Sequence, residues 1–418
     1  MTVSASSSGR AGWLKIALVV LGAILVAVFS ILISLPYVLP SESRPLTTAL
    51  PLGGSAKARA TFGSSLLDLA QVQQGEGDKR QWAQYAAGYA RSALRQEPGN
   101  VEAARTLALA NEALGRRQAA DRLLLYANSL SRRDVPTQLA LGERAQVAGK
   151  VDQAMVHYGN VMATSWQTGA VLARIGTPDD PALQDAIGRR LAAGPPWRFR
   201  FLTAYTGRAR SAPALYRISA ATWGKGLPAQ DRRLASTVLR RLIALNAPEE
   251  ARSLYAKLTG DKARPSLVNG GGFEPTEGLP PFIWTYIDSG RLAASPQPAP
   301  SGKGRVLELR ARSAARGVVA SQMIMLAPGT YTLAFRAGDL SRDLAGRPTV
   351  RVACLRTGGK RSIARLVQVM ASATADVSSG SFSVPANCPF QSLEIWFGAP
   401  ATATDATSWV DDVSIAPL

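Results

Sequence analysis

The sequence predicts a multidomain protein: a transmembrane helix, an α-helical solenoid and an all-β sandwich, in that order. Three observations carry the prediction. Residues 16–35 contain no charge, small and apolar residues recur at a 34-residue step between positions 86 and 161, and from Pro265 the composition turns to β-branched residues, Gly and Pro. A length of 418 residues accommodates two or three domains. With 46% hydrophobic and 18% charged residues, the chain can form packed cores and is not a disordered polymer.

The first element is IALVVLGAILVAVFSILISL, Ile16 to Leu35, which matches the roughly 20 residues that cross a bilayer as a helix. Arg10 and Lys15 precede it, whereas Glu42 and Arg44 cancel after it, so residues 1–15 are expected to stay cytoplasmic. Trp13 and Tyr37 sit near its ends, where amphipathic rings favour the interface. A cleaved signal peptide is the competing reading. However, Leu35, Pro36 and Tyr37 are poor cleavage neighbours, and the small-x-small run Ala56-Lys57-Ala58 lies too far downstream. The expected layout is a cytoplasmic tail (1–15), a signal anchor (16–39), a linker (40–57), a helical repeat domain (58–264) and a β-sandwich (265–418). The implied location is a bacterial inner membrane, crossed once, with the bulk of the chain periplasmic and the lipid bilayer as a partner.

The formal net charge of +19 sits mainly in the middle of the chain: 31 basic against 17 acidic residues from Lys57 to Arg264, but 14 against 11 from Pro265 onward. Such a field attracts nucleic acid, anionic headgroups, acidic polysaccharide or acidic protein. A solvated arginine-rich surface is the plainer reading, and placement beyond the membrane removes nucleic acid from the partners. The only two cysteines, Cys354 and Cys388, are expected to pair in an oxidising compartment. Closing a loop of about 35 residues would stabilise the fold by roughly 3–4 kcal/mol; the alternative is two buried thiols. Two cysteines and one histidine supply no soft metal site.

Helical periodicity runs from about Ala58 to Leu258. Inside it Ala86, Ala120 and Ala154 are spaced by 34, as are Leu107 and Leu141, Gly115 and Gly149, and Ala93, Ala127 and Val161. The segments ALRQEPGNVEAARTLALANEALGRRQAADRLLLYA and PTQLALGERAQVAGKVDQAMVHYGNVMA resemble tetratricopeptide repeats. Gly115 and Gly149 end the first helix of each pair, Ala120 and Ala154 allow close approach, and Leu124 and Tyr158 fill the large position. Arg132 in place of proline and Asn111 in place of an aromatic depart from the pattern. DRRLASTVLRRLIALNAPEEARSLYAKL looks like one further pair, with Ala251 and Tyr255 in the corresponding places. Stacked helix pairs share a core and curve into a surface that holds partners. The first-helix residues Arg105, Asn111, Gln138 and Arg144 are the candidate protein-binding groove.

From Pro265, candidate strands begin at Val306, Val319, Thr330, Thr349, Ser381, Ser392 and Trp409. Seven short strands with turn residues between them indicate an antiparallel sandwich, and the span suits one jelly roll. LVNGGGFEPTEGLPPFIW, LAPGTYTLAFRA, SFSVPA and SWVDDVSIAPL occur in the order found in galactose-binding-like jelly rolls, the fold of many carbohydrate-binding modules. The resemblance covers residues 267–418. It implies that the opening and closing segments pair as neighbouring strands beside a structural calcium, with Glu274 and Asp411 as oxygen ligands. Strict alternation would put Trp409, Asp411, Val413 and Ile415 on one face, leaving Asp411 pointing inward. A buried carboxylate needs a cation or donors; backbone N–H groups of the opening segment are the alternative to calcium. Trp284 and Tyr286 are the candidate glycan platform, Tyr331 and Phe335 read as core, and Trp396 and Trp409 lie on late strands. Arg291, Arg310 and Arg312 are cations that would favour an acidic sugar.

The case for an enzyme is poor, with a degenerate glycan-active enzyme as the third and least favoured reading. The sole histidine, His157, lies mid-helix beside Tyr158 with no nucleophile motif to serve. The pairs Asp179-Asp180 and Asp411-Asp412 are adjacent, not the separated carboxylates that glycosidases use. Asp180 before Pro181 reads as a helix cap. The expected function is a membrane-anchored scaffold for synthesis, export or assembly of an envelope or extracellular polysaccharide. Its repeats would bind protein and its sandwich glycan, and no cofactor beyond calcium is implied. The alternative is an organiser of an envelope complex that binds protein alone.

Overall fold

A computed structural model describes residues 55–73, 75–175, 180–224, 226–260, 268–312, 314–355, 363–400 and 403–418. The predicted tail, anchor and nearly all of the linker lie outside these residues. Among the described residues no helix is long and apolar enough to cross a membrane. Among the described residues twelve α-helices come first: α1 (Ala56–Val72), α2 (Glu76–Gln96), α3 (Val101–Ala113), α4 (Arg117–Leu130), α5 (Val135–Val147), α6 (Val151–Thr164), α7 (Thr168–Ile175), α8 (Pro181–Ala192), α9 (Arg198–Arg208), α10 (Ala212–Thr222), α11 (Arg232–Ala244) and α12 (Pro248–Thr259), and ten strands follow. The chain forms two compact units, one ending at Gln167 and one beginning at Thr168, so α7–α12 group with the sandwich.

In the first unit the 34-residue step has a direct physical meaning. Ala86, Ala120 and Ala154 lie on α2, α4 and α6, and each is fully buried. Gly115 and Gly149 adopt φ of 79° and 70° just past α3 and α5. There the N–H of Arg116 reaches Asn111 O and that of Lys150 reaches Ala145 O, both at 2.8 Å. These six-residue closures need a left-handed residue, which glycine supplies without strain. The second unit repeats the device with Asn246 at φ 57° and Ala247 N–H on Leu242 O. Ala251 and Tyr255 follow it at the same offsets as Ala120 and Leu124, and both are buried. Helix starts are set by side-chain caps: Ser55, Asn100, Asp134, Asp180 and Ser211 each accept a backbone N–H of the first turn.

The sandwich comprises β1 (Thr285–Tyr286), β2 (Leu292–Pro298), β3 (Arg305–Arg312), β4 (Arg316–Ile324), β5 (Gly329–Gly338), β6 (Thr349–Leu355), β7 (Ile363–Met370), β8 (Ser378–Val384), β9 (Gln391–Gly398) and β10 (Asp405–Pro417). One sheet runs β1-β4-β9-β6-β7 and the other β2-β3-β10-β5-β8, every pairing antiparallel. Leu307, Leu309, Leu333, Phe335, Val350, Val352, Leu393, Ile395, Phe397 and Val410 fill the space between them. Sequence reading missed β1, β2 and β7, all at sheet edges, where pairing on one side weakens the strand pattern. Pro296 and Pro298 in β2 are tolerated because β3 alone pairs with this edge strand at those positions, so a missing N–H breaks no second ladder. Within this unit Tyr255 of α12 meets Phe282 edge-on at 4.8 Å, and Arg232 of α11 donates to Gly278 O. The helices and the sandwich therefore share an apolar contact.

The closing strand corrects one expectation. Its register against β5 slips between Asp411 and Ser414, and Asp412 sits at φ 51°. This β-bulge resets the alternation: Ser408 and Val410 face the core before it, Val413 and Ile415 after it. Asp411 therefore stands at the bulge, half-buried, and not among the core side chains. An uninterrupted period of two, applied across the aspartate pair, produced the wrong facing.

Candidate functional site

Arg105, Gln138 and Arg144 tie neighbouring helices of the repeats together, whereas Asn111 bonds within its own helix. Asn111 is buried and donates to Leu107 O at 2.8 Å. Gln138 is fully buried: its Nε2 donates to Asn128 Oδ1 at 2.7 Å, and its Oε1 accepts from Asn160 Nδ2 at 3.0 Å and meets His157 Nδ1 at 2.9 Å. These two are interior residues, which corrects their assignment to an exposed groove. His157 is part of the same packing, and burial holds its pKa below the ordinary imidazole value. Arg105 pairs with Asp134 at 2.6 Å, and Arg144 bridges Glu112 at 2.8 Å and Asp121. Both arginines tie one helix pair to the next.

At the start of the sandwich, Trp284 is 7% exposed. Its ring packs on Phe273 at 5.5 Å and its Nε1 donates to Gly270 O at 3.0 Å. The indole is core, correcting its assignment as an exposed sugar platform; apolar area and a satisfied N–H keep it inside. Tyr286 is 36% exposed, and its hydroxyl pKa is pushed up to about 12 by burial, against the pull of Arg305. Trp284, Tyr286, Glu274, Pro296 and Arg305 line one cleft of roughly 350 Å³.

Asp411 Oδ1 accepts the N–H of Asp412 at 2.8 Å, not an N–H of the opening segment. That segment reaches β10 through backbone instead: Val413 N–H donates to Gly271 O at 3.0 Å, and a Cβ on Gly271 would overlap Val413 O. Burial pushes the Asp411 pKa up; the Asp412 N–H opposes this, the negative charges of Asp412 and Glu274 add to it, and Arg336 opposes it. Among the described residues no group of three or more His, Cys, Asp or Glu is arranged to hold a metal. A hard cation here would therefore rest on two carboxylates and backbone carbonyls, an all-oxygen set whose mutual repulsion a divalent ion would relieve.

The outward face of the sheet β1-β4-β9-β6-β7 carries a constellation that sequence reading did not assemble. Along β9, Leu393, Ile395 and Phe397 point into the core, which turns Ser392, Glu394 and Trp396 outward. Glu394 is nevertheless only 9% exposed. Its Oε1 accepts from Ser392 Oγ at 3.0 Å and its Oε2 from Trp396 Nε1 at 2.8 Å. On β6, Arg351 lies opposite Glu394, and Thr349 opposite Trp396. The Arg351 guanidinium sits 4.2 Å from the centre of the Trp396 ring, a cation–π pair. Its Nη2 donates to Gln368 Oε1 of β7 at 3.1 Å. Among the described residues Arg351 Nε and Thr349 Oγ1 are buried without a hydrogen-bond partner. Of these residues only Trp396 stands out in the sequence as a candidate. The missing signal was the outward period of two along SLEIWF, which interleaves Ser, Glu and Trp with Leu, Ile and Phe.

Cys354 and Cys388 form a disulfide with Cα atoms 5.6 Å apart, joining the end of β6 to the turn before β9.

No family model and no curated protein matches the chain. Among solved structures, a family 16 carbohydrate-binding module is 14% identical over 31% of this chain and 89% of that one, with a TM-score of 0.24. The CBM22-1 xylan-binding domain from Paenibacillus barcinonensis Xyn10C is 13% identical over 32% and 85%, TM-score 0.24. The P58(IPK) TPR domain is 16% identical over 49% and 61%, TM-score 0.26.

Proposed function

We propose that this protein binds glycan through the outward face of the β1-β4-β9-β6-β7 sheet and protein through its helical units, without chemical turnover. One observation carries the reading. Glu394 is buried on an outer sheet face and bridges a serine hydroxyl and an indole N–H, with an arginine laid on that same indole. Strand exteriors ordinarily carry solvated side chains. Here polar groups converge around one aromatic, and two buried polar atoms have no partner, as suits a site for a hydroxyl-rich ligand.

The test is affinity electrophoresis of the full chain in gels containing polysaccharide. The wild type is expected to be retarded, and Trp396→Ala to lose at least about tenfold in affinity, since aromatic anchors dominate such sites. Unretarded wild-type protein would sink the glycan reading and leave the organiser that binds protein alone. In that case Tyr85 and Tyr89, exposed on α2, are the surface aromatics to examine.

The wider setting is part of the proposal. The uncharged run at 16–35 and the Cys354–Cys388 bond both suit a chain anchored in an inner membrane, with its domains in the oxidising periplasm. There it would support envelope or extracellular polysaccharide synthesis, export or assembly. Glu274 and Asp411 would hold a structural calcium, whose chemistry is charge neutralisation at the bulge.

A further inference from the structure

We propose that the Trp396–Arg351 face selects acidic glycans, whose sugars carry carboxylates, over neutral ones; this rests on the glycan-binding reading above. Strand register gathers three arginines there. Arg351 stands opposite Glu394, Arg365 opposite Ala353 two residues along β6, and Arg316 opposite Gly398 two residues beyond Trp396. Gly398 shares the outward face of Trp396 by the i, i+2 rule. The register shift between Val352 and Ala353 pairs Arg365 with Ala353, which lies opposite the outward Ser392. Arg316 and Arg365 are both exposed. The one carboxylate among these positions is Glu394, which accepts from Ser392 and Trp396 and offsets one of the three positive charges. The other sheet is arranged differently: Arg310 pairs with Glu308, Arg312 with Asp405 at 3.9 Å and Arg336 with Asp412 at 3.5 Å. Two of the three arginines named from sequence as acidic-sugar ligands are thereby neutralised. Among the described residues Arg316 and Arg365 have no carboxylate partner.

A cluster of like charge with too few counter-charges raises the energy of the free protein and favours an anion. Arg351 registers this: burial pushes its pKa down, Arg365 and Arg316 push the same way, and Glu394 alone opposes. Arg351 is also held in place by the indole at 4.2 Å and by Gln368 at 3.1 Å. Its planar fork is thus presented to a carboxylate with little ordering cost. A neutral sugar gains nothing from the surplus cations.

The full chain should be run by affinity electrophoresis against polygalacturonate, neutral xylan and dextran sulfate, with Arg316→Gln and Arg365→Gln beside the wild type. Selectivity predicts tighter binding to polygalacturonate than to xylan. Each exposed arginine removed should then cut the polygalacturonate-to-xylan ratio roughly threefold to fivefold. Equal affinity for xylan and polygalacturonate overturns the selectivity while the glycan reading stands. Polygalacturonate binding that neither variant weakens also overturns it, and assigns the attraction to the chain's other basic residues. Dextran sulfate bound more tightly than polygalacturonate, with the same arginine dependence, overturns the carboxylate assignment in favour of a sulfate ester. Retention by none of the three polymers overturns both readings.

Discussion

At the scale of single residues, Asp411 is the most informative position. Its raised pKa means that the folded state holds the proton more tightly than the unfolded chain does. Stability from this group is therefore present at low pH and falls as pH rises from the ordinary aspartate value through the folded one. Near neutral pH, ionised Asp411 opposes the fold unless a cation offsets it. Asp411→Asn is accordingly expected to raise the melting temperature in EDTA, and calcium to raise that of the wild type but not of the variant. A wild-type melting temperature indifferent to calcium would remove the metal from the proposal. The aspartate pair was conspicuous in the sequence, but its meaning was not. A bulge adds one residue to a strand, and no local composition marks which of two adjacent aspartates takes the positive φ.

At the scale of elements, the repeat shows how size is traded between helices. Ala108 on α3 packs in one apolar cluster with Leu124 on α4. One step of 34 later Gly142 on α5 lies under Tyr158 on α6, where a Cβ would stand 2.5 Å from the tyrosine ring. The larger partner on one helix is accommodated by the smaller residue on the other, so the helices keep their spacing. Gly142→Ala should therefore cost about 1–3 kcal/mol by overpacking, even though alanine favours the helix. Adding Tyr158→Leu, which copies the preceding repeat, should recover most of that loss in a double-mutant cycle read by chemical denaturation. Strict additivity of the two changes would refute the exchange. The period itself was legible in the sequence because alanine and glycine recur where helices touch. The burial of Asn111 and Gln138 was not, because a polar residue on a first helix reads as exposed until what packs over that helix is known.

At the scale of the whole molecule, the chain forms two compact units, and the second joins six helices to the sandwich through contacts such as Tyr255 on Phe282. The last described helix ends at Thr259 and the first described strand begins at Thr285, on either side of the composition change at Pro265. The compact units divide instead between Gln167 and Thr168. The disulfide bears on where the molecule resides. If the sandwich matures in the periplasm, Cys354 and Cys388 of protein trapped in intact cells should resist alkylation until reduced. Prompt alkylation of both without reductant would place the sandwich in a reducing compartment and undo the proposed topology.

For the described residues, the sequence by itself determined that a helical stretch precedes an antiparallel β-sandwich. Helical period, the 34-residue step and the switch to β-branched residues are local or regularly recurring signals, and each follows from the geometry of one helix or strand. It also identified Asp180 as a cap and Tyr255 as the counterpart of Tyr158. Only the tertiary structure decided which polar side chains are available to a ligand. Trp284 is core because Phe273 and the Gly270 carbonyl close around it, and Gln138 is spent on three neighbours from other helices. The face around Trp396 draws on four strands whose pairing spans residues 316–398. Whether a charge is paired or surplus depends on what lies across the sheet, and that partner can be eighty residues away along the chain.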